Sequence, residues 1–180
     1  DVYKRQSLWE IKNQFDENIL IQEKLCKSNE IDIGYFSVEP VSMPFDIRLI
    51  DSEKYRLMND LFIKTGDLGP WMMRNTTSIQ INIDFTDEED ASQMAFVADA
   101  IQPLMSIMFS NSPFMNAKPT RENLRWKIWS NTDNSRCGSL YDHSINTPKN
   151  FVKKYAEWLL QRDVIFLDLS LIHISEPTRR

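Results

Sequence analysis

The stretch Ser78-Ile79-Gln80-Ile81-Asn82-Ile83-Asp84-Phe85 is the part of this sequence most committed to one conformation. Ile79, Ile81, Ile83 and Phe85 fall on one side of an extended backbone, and Gln80, Asn82 and Asp84 on the other. That period of two predicts a strand in a sheet with one buried face. Downstream, Thr86 or Asp87 is placed to cap a long helix, because Asp87, Glu88, Glu89 and Asp90 put acids in its first turn, where the helix dipole favours negative charge. Met94, Val97, Ala98, Ile101, Met105 and Met108 recur at helical spacing. Pro103 predicts a kink, and Ser110 to Pro113 a stop.

Upstream, Asp51 or Ser52 caps a predicted helix from Glu53 to Ile63, with Tyr55, Met58, Leu61 and Phe62 facing inward and Gly66 ending it. Before it lie an amphipathic helix over Leu8 to Lys27, carried by Ile11, Phe15 and Ile19, and a predicted strand from Ile31 to Val38 that Glu39-Pro40 closes. Beyond the long helix, Phe114 to Arg121 reads as a loop and Trp126 to Trp129 as a short aromatic segment. Thr147-Pro148 opens a last helix through Phe151, Tyr155, Trp158 and Leu159, and Val164 to Leu167 reads as a final strand. This order predicts an α+β fold, a mostly antiparallel sheet with helices covering one face.

The chain has 180 residues, of which 42% are hydrophobic and 26% charged, the balance of a globular domain, and four glycines leave little room for linkers. Its net charge of -5 lacks the basic field with which nucleic-acid binders displace counterions. No apolar run is long enough for a membrane span, and Asp1 to Gln6 lack the apolar core of a signal peptide, so the expected compartment is the cytoplasm. Cys26 and Cys137 are too few for a disulfide framework and have no histidine at zinc-site spacing. Residues 1–6 and Leu169 to Arg179 look like translations of the two strands of a sequencing-library transposon adapter. The expected division is therefore an adapter-derived artefact over 1–6, one native part over 7–168, and a second artefact over 169–180. His173 then drops out as a site candidate, and the remainder is more acidic than the whole, since each end carries a net positive charge. The alternative is that Leu169 to Ile174 is a real strand.

Gln80, Asn82 and Asp84 would line the open face of the sheet, where amides and a carboxylate at two-residue spacing can hold a phosphate-bound metal or a polar substrate; the alternative is a solvated face. Amide side chains are poor occupants of a strand and need a reason to be there. Arg74, Lys118, Arg121, Arg125 and Arg136 form a second feature. Guanidinium groups grip carboxylate or phosphate bidentately, although surface cations also serve solubility, and Asp133 with Arg136 equally suits a local ion pair. His143 has no nucleophile at recognisable spacing, and Gly66-Asp67-Leu68-Gly69 lacks the ending of a phosphate loop.

These residues occur in blocks. Met72-Met73, Thr76, Gln80 to Phe85, Ser110 to Phe114, Lys118-Pro119, and Arg125 with Ile128-Trp129, Thr132-Asp133, Arg136 and Gly138 stand in order and in register. The chain thereby resembles the plant and proteobacterial type of glutamate-cysteine ligase, most strongly from Tyr55 to Gly138. The resemblance implies that 7–168 is a central fragment of one ligase catalytic domain, a partial glutamine-synthetase-like fold of an ATP- and Mg²⁺-dependent ligase. Its small-molecule substrates would be glutamate, cysteine and ATP, with no nucleic acid and no membrane as partners. It also implies that the glutamate side-chain carboxylate is activated as an acyl phosphate, which the cysteine amine attacks. Arg125 matches the family's arginine that grips the glutamate carboxylate. Lys54 falls where a second arginine is more common, keeping the charge but losing the fork. Gln80, Asn82, Asp84, Asn111 and Ser112 match the substrate side, and Arg136 is the nucleotide-binding candidate. No catalytic residue is assigned, and no metal ligand is expected, since the family's acidic metal-binding strands lie upstream of the matched blocks. Two other readings stay open: a related carboxylate-amine ligase using another amine, and a non-catalytic α+β binding module.

Overall fold

The computed structural model describes residues 7–165, in two units that meet in sequence between Tyr35 and Phe36. The calls on 1–6, on 169–180 and on Phe166 and Leu167 of the final strand lie outside the described residues. Helix α1, Leu8–Ser28, dominates the first unit. Ser7 caps it by accepting from the Glu10 N–H, and the Asn29 N–H closes it on the Cys26 carbonyl. No strand follows it: residues 31–36 carry no sheet pairing.

The second unit holds the core. Helix α2, Glu53–Thr65, is followed after three residues by α3, Gly69–Asn75. The helices can turn so sharply because two glycines allow close approach. A Cβ on Gly66 would lie 2.2 Å from the Asn131 carbonyl oxygen, and one on Gly69 would lie 2.2 Å from that of Phe62. Helix α4, Glu88–Met108, starts where the acids predicted: the Asp87 carboxylate accepts from the Asp90 N–H, and the Asp90 carboxylate accepts in return from the Thr86 N–H. Pro103 lies inside it. The segment predicted as a loop contains a hairpin, β1 (Phe114–Met115) against β2 (Lys118–Pro119), turned by Asn116 and Ala117, both at positive φ. That is the two-residue turn whose twist suits a hairpin. Helix α5, Leu124–Ser130, is capped by Asn123, and α6 runs Phe151–Leu160. Thr147-Pro148 sit before α6 rather than in its first turn; Asn150 precedes it in the left-handed conformation.

Val38, Trp71, Leu124 and Ile128 form the buried cluster, with Leu68, Met72 and Met115 packed against it. Burying such a side chain contributes about 1.5–3 kcal/mol, so this small cluster fixes α3, α5 and the 38–40 segment together. Trp71 and Met72 thus belong to the core.

The α+β mixture is present, and its sheet differs from the expectation. Among the described residues the ladders are the two-residue β1–β2 hairpin and one isolated antiparallel bridge, Val38 to Thr76. Ser78 to Phe85 is not a paired strand, and Ile79, Ile81, Ile83 and Phe85 are 79%, 80%, 68% and 63% exposed. The same holds for Ile31 to Val38 apart from that bridge. A strand exists only with a hydrogen-bonding neighbour. The described residues bring no strand partner beside 78–85 or 31–35, so the alternating pattern of 78–85 has no dry surface to settle on.

Candidate functional site

Residues 36–40 are the axis of the region where the predicted site residues meet. On one side the Thr77 N–H donates to the Ser37 carbonyl at 3.1 Å, the Thr77 hydroxyl to the Phe36 carbonyl at 2.9 Å, and the Glu39 N–H to the Asn75 carbonyl at 2.7 Å. On the other, the Ser37 N–H donates to the Asn111 carbonyl at 3.0 Å and the Ala117 N–H to that of Pro40 at 2.8 Å. The chain segments carrying Thr77 and Asn111, far apart in sequence, are thereby held on either side of one extended piece.

Arg125 closes this arrangement. From α5 its Nη1 donates to the Thr77 carbonyl at 2.6 Å, and its guanidinium lies 5.9 Å from the centre of the Trp129 ring. Burial pulls the group below the ordinary arginine range, though a guanidinium stays charged at neutral pH. One cation is therefore fixed three residues from Gln80, at the point where the 78–85 segment departs. Gln80, Asn82 and Asp84 are exposed.

Asn111 and Ser112 lie across the axis. Ser112 is 5% exposed and its hydroxyl shares a 2.6 Å hydrogen bond with that of Ser37, which also reaches the Asn111 carbonyl at 3.2 Å. Ser110, Asn111, Ser112, Thr120, Arg121 and Glu122 line a recess of about 270 Å³. Arg125, Asn111 and Ser112 are thus joined through Thr77 and Ser37, two polar residues the sequence did not single out. No local signal marks them, since their role comes from pairing between distant segments.

The other candidates stand apart from this chain of hydrogen bonds. Lys54 is exposed in the first turn of α2, its ammonium 6.0 Å from the Tyr55 ring. Arg136 is the local ion pair that was the alternative: Nη1 bonds the Asp133 carboxylate and Nη2 donates to the Asp163 carbonyl at 2.5 Å. Asp133 is 2% exposed. Burial alone would raise its pKa, but the Ser135 hydroxyl and N–H, at 2.6 and 2.9 Å, and the Arg136 charge more than offset that and hold it below the ordinary aspartate range. Arg136 also borders a recess of about 400 Å³ with Tyr155, Trp158 and Arg162. Arg74 is structural, donating to the Asn59 Oδ1 at 3.0 Å and lying over Phe45. His143 packs 4.6 Å from the Trp158 ring.

Among the described residues no three histidine, cysteine, aspartate or glutamate side chains gather as a metal would need, so the residues present do not make a magnesium site. Nor does Arg136, neutralised by a buried carboxylate, present a free charge to a phosphate.

The comparisons add identity to this geometry. The model of a family described as Glutamate-cysteine ligase family 2 (GCS2) matches residues 38–160, which contain residues 38–40 of the axis, Arg125, and both flanking segments. Glutamate–cysteine ligase A, chloroplastic, of Oryza sativa subsp. indica is 33% identical over 147 residues, covering 71% of this chain and 30% of that protein. The chloroplastic enzyme of Nicotiana tabacum is 32% identical over 149 residues (72% and 28%), and that of Arabidopsis thaliana 34% over 116 residues (63% and 22%). The chain spans less than a third of the length of these relatives, and within that span it belongs to glutamate-cysteine ligase family 2.

Proposed function

We propose that this chain is the central part of a glutamine-synthetase-like catalytic domain that joins the glutamate γ-carboxylate to the amine of cysteine, using ATP and Mg²⁺. The observation that carries the reading is the fixed Arg125 guanidinium at the root of the Gln80–Asn82–Asp84 row, within the part of the chain that matches the family. Arg125 holds the glutamate carboxylate with the nitrogens it does not spend on Thr77, Gln80 and Asn82 orient the substrate, and the loop at Asn111 and Ser112 borders it. When bound, Mg²⁺ supplies charge neutralisation on the phosphates. The described residues offer it no set of ligands, so its site and the nucleotide's are assigned to the rest of the ligase. The same holds for the amine pocket. In this reading the 180 residues are a fragment with adapter-derived ends. The proposed compartment is the cytoplasm, where the two free thiols Cys26 and Cys137 would stay reduced.

The test is ADP release in the presence of glutamate and cysteine. The full-length ligase should turn over and the isolated 180-residue chain should not. Robust turnover by the isolated chain overturns the fragment reading, and a full-length protein that ignores cysteine but accepts another amine moves the function to a related ligase.

A further inference from the structure

Helix α5 carries two tryptophans, Trp126 and Trp129, and neither joins the core: they are 43% and 38% exposed, while Leu124 and Ile128 of the same helix are buried. A large ring left partly in water forgoes much of what its burial would contribute. What Trp129 does instead lies four residues upstream. Residues four apart are neighbours on a helix surface, and the Arg125 guanidinium sits over the Trp129 ring, 5.9 Å from its centre. Trp126, one residue after Arg125, points about 100° around the helix from it. The two contacts of the guanidinium constrain it differently. The 2.6 Å bond from Nη1 to the Thr77 carbonyl fixes one corner of the planar group and leaves it able to swing about that bond. The ring supplies the second constraint, because a cation is attracted to the π face. Thr77 is itself anchored, its N–H on the Ser37 carbonyl at 3.1 Å and its hydroxyl on that of Phe36 at 2.9 Å. Anchor and ring together hold the fork in one orientation before any substrate arrives, which lowers the ordering cost of binding a carboxylate.

We propose that Trp129 is a positioning residue for glutamate and acts through Arg125: its indole holds the guanidinium so that the nitrogens not spent on Thr77 meet the substrate carboxylate. The inference rests on the reading of Arg125 as the glutamate-binding cation. A ring present only for packing would support the stability of α5 and add nothing to the affinity for glutamate.

Glutamate titrations of the full-length ligase test this, with the KM for cysteine and the denaturant midpoint measured beside them. Trp129→Leu keeps an apolar side chain and loses the π face. It should raise the KM for glutamate about three- to tenfold, with kcat and the KM for cysteine within about twofold of the parent. Trp129→Phe, which keeps a π face, should restore most of the affinity, and Trp126→Leu should leave the KM for glutamate at the parental value. In an Arg125→Lys background, Trp129→Leu should add less than about twofold, because the fork that the ring orients is already gone. If Trp129→Leu does not fold, Trp129→Met, also without a π face, takes its place in each comparison. A parental KM for glutamate in the folded variant overturns the proposal. So does a rise that phenylalanine does not reverse, one that Trp126→Leu equals, or one undiminished beside Arg125→Lys. The two readings fail differently: a parental KM in Arg125→Lys removes the glutamate reading and this proposal with it, whereas a raised KM in Arg125→Lys beside a parental one in Trp129→Leu removes this proposal alone.

Discussion

Arg125 donates a 2.6 Å hydrogen bond from its guanidinium to the carbonyl of Thr77, forty-eight positions earlier in the chain. A carbonyl partner leaves the arginine its charge, which a carboxylate partner would have cancelled, as happens to Arg136 beside Asp133. Both arginines stood among the candidate cations of the sequence, and their partners separate them. Arg125 is positioned and still cationic; Arg136 is spent on holding the chain after α5.

The hydroxyl pair between Ser37 and Ser112 ties the Asn111 segment to the axis. Ser112→Ala removes a buried partner and leaves the Ser37 hydroxyl with the Asn111 carbonyl alone. The expected loss is about 1 kcal/mol of unfolding free energy, seen as a lower denaturant midpoint at unchanged slope.

Asp133 predicts a pH dependence. Its folded pKa lies below the ordinary value of 3.8, so its stabilising contribution is complete above about pH 4 and is lost as pH falls through the lower, folded value. Asp133→Asn should cost about 2 kcal/mol at pH 7. The gap between mutant and parent should narrow progressively below pH 4 in urea titrations, and a gap that stays constant with pH would refute the role given to the charge.

Ala117 occupies a left-handed position, φ 57, in the turn between β1 and β2. An L-residue with a Cβ is strained there and glycine is not. Ala117→Gly should therefore raise stability by up to about 1 kcal/mol, measured as an increase in Tm.

What the sequence revealed divides along local and non-local lines. Helices α1, α2 and α4 were legible almost to the residue because caps and apolar spacing are local: Ser7, Ser52 and Asp87 stand where the helices begin. Helices α3 and α5 were missed because seven residues hold too few repeats of the pattern, although Asn123 was a readable cap. The hairpin was missed because its turn is Asn116-Ala117 rather than a glycine turn. The strand over 78–85 has the pattern without the pairing, since no sequence carries its own neighbour. Among the candidate site residues, Arg125, Asn111 and Ser112 were proposed from motif blocks, whereas Ser37 and Thr77, which connect them, became visible only once distant segments lay side by side.

The most direct test of the account is the glutamate dependence of the full-length ligase carrying Arg125→Lys. Lysine keeps the charge and loses the fork, so the KM for glutamate should rise about tenfold or more, with the KM for cysteine nearly unchanged and the far-ultraviolet circular dichroism that of the parent. A parental KM for glutamate in a folded, active variant would contradict the placement of Arg125 at the substrate carboxylate.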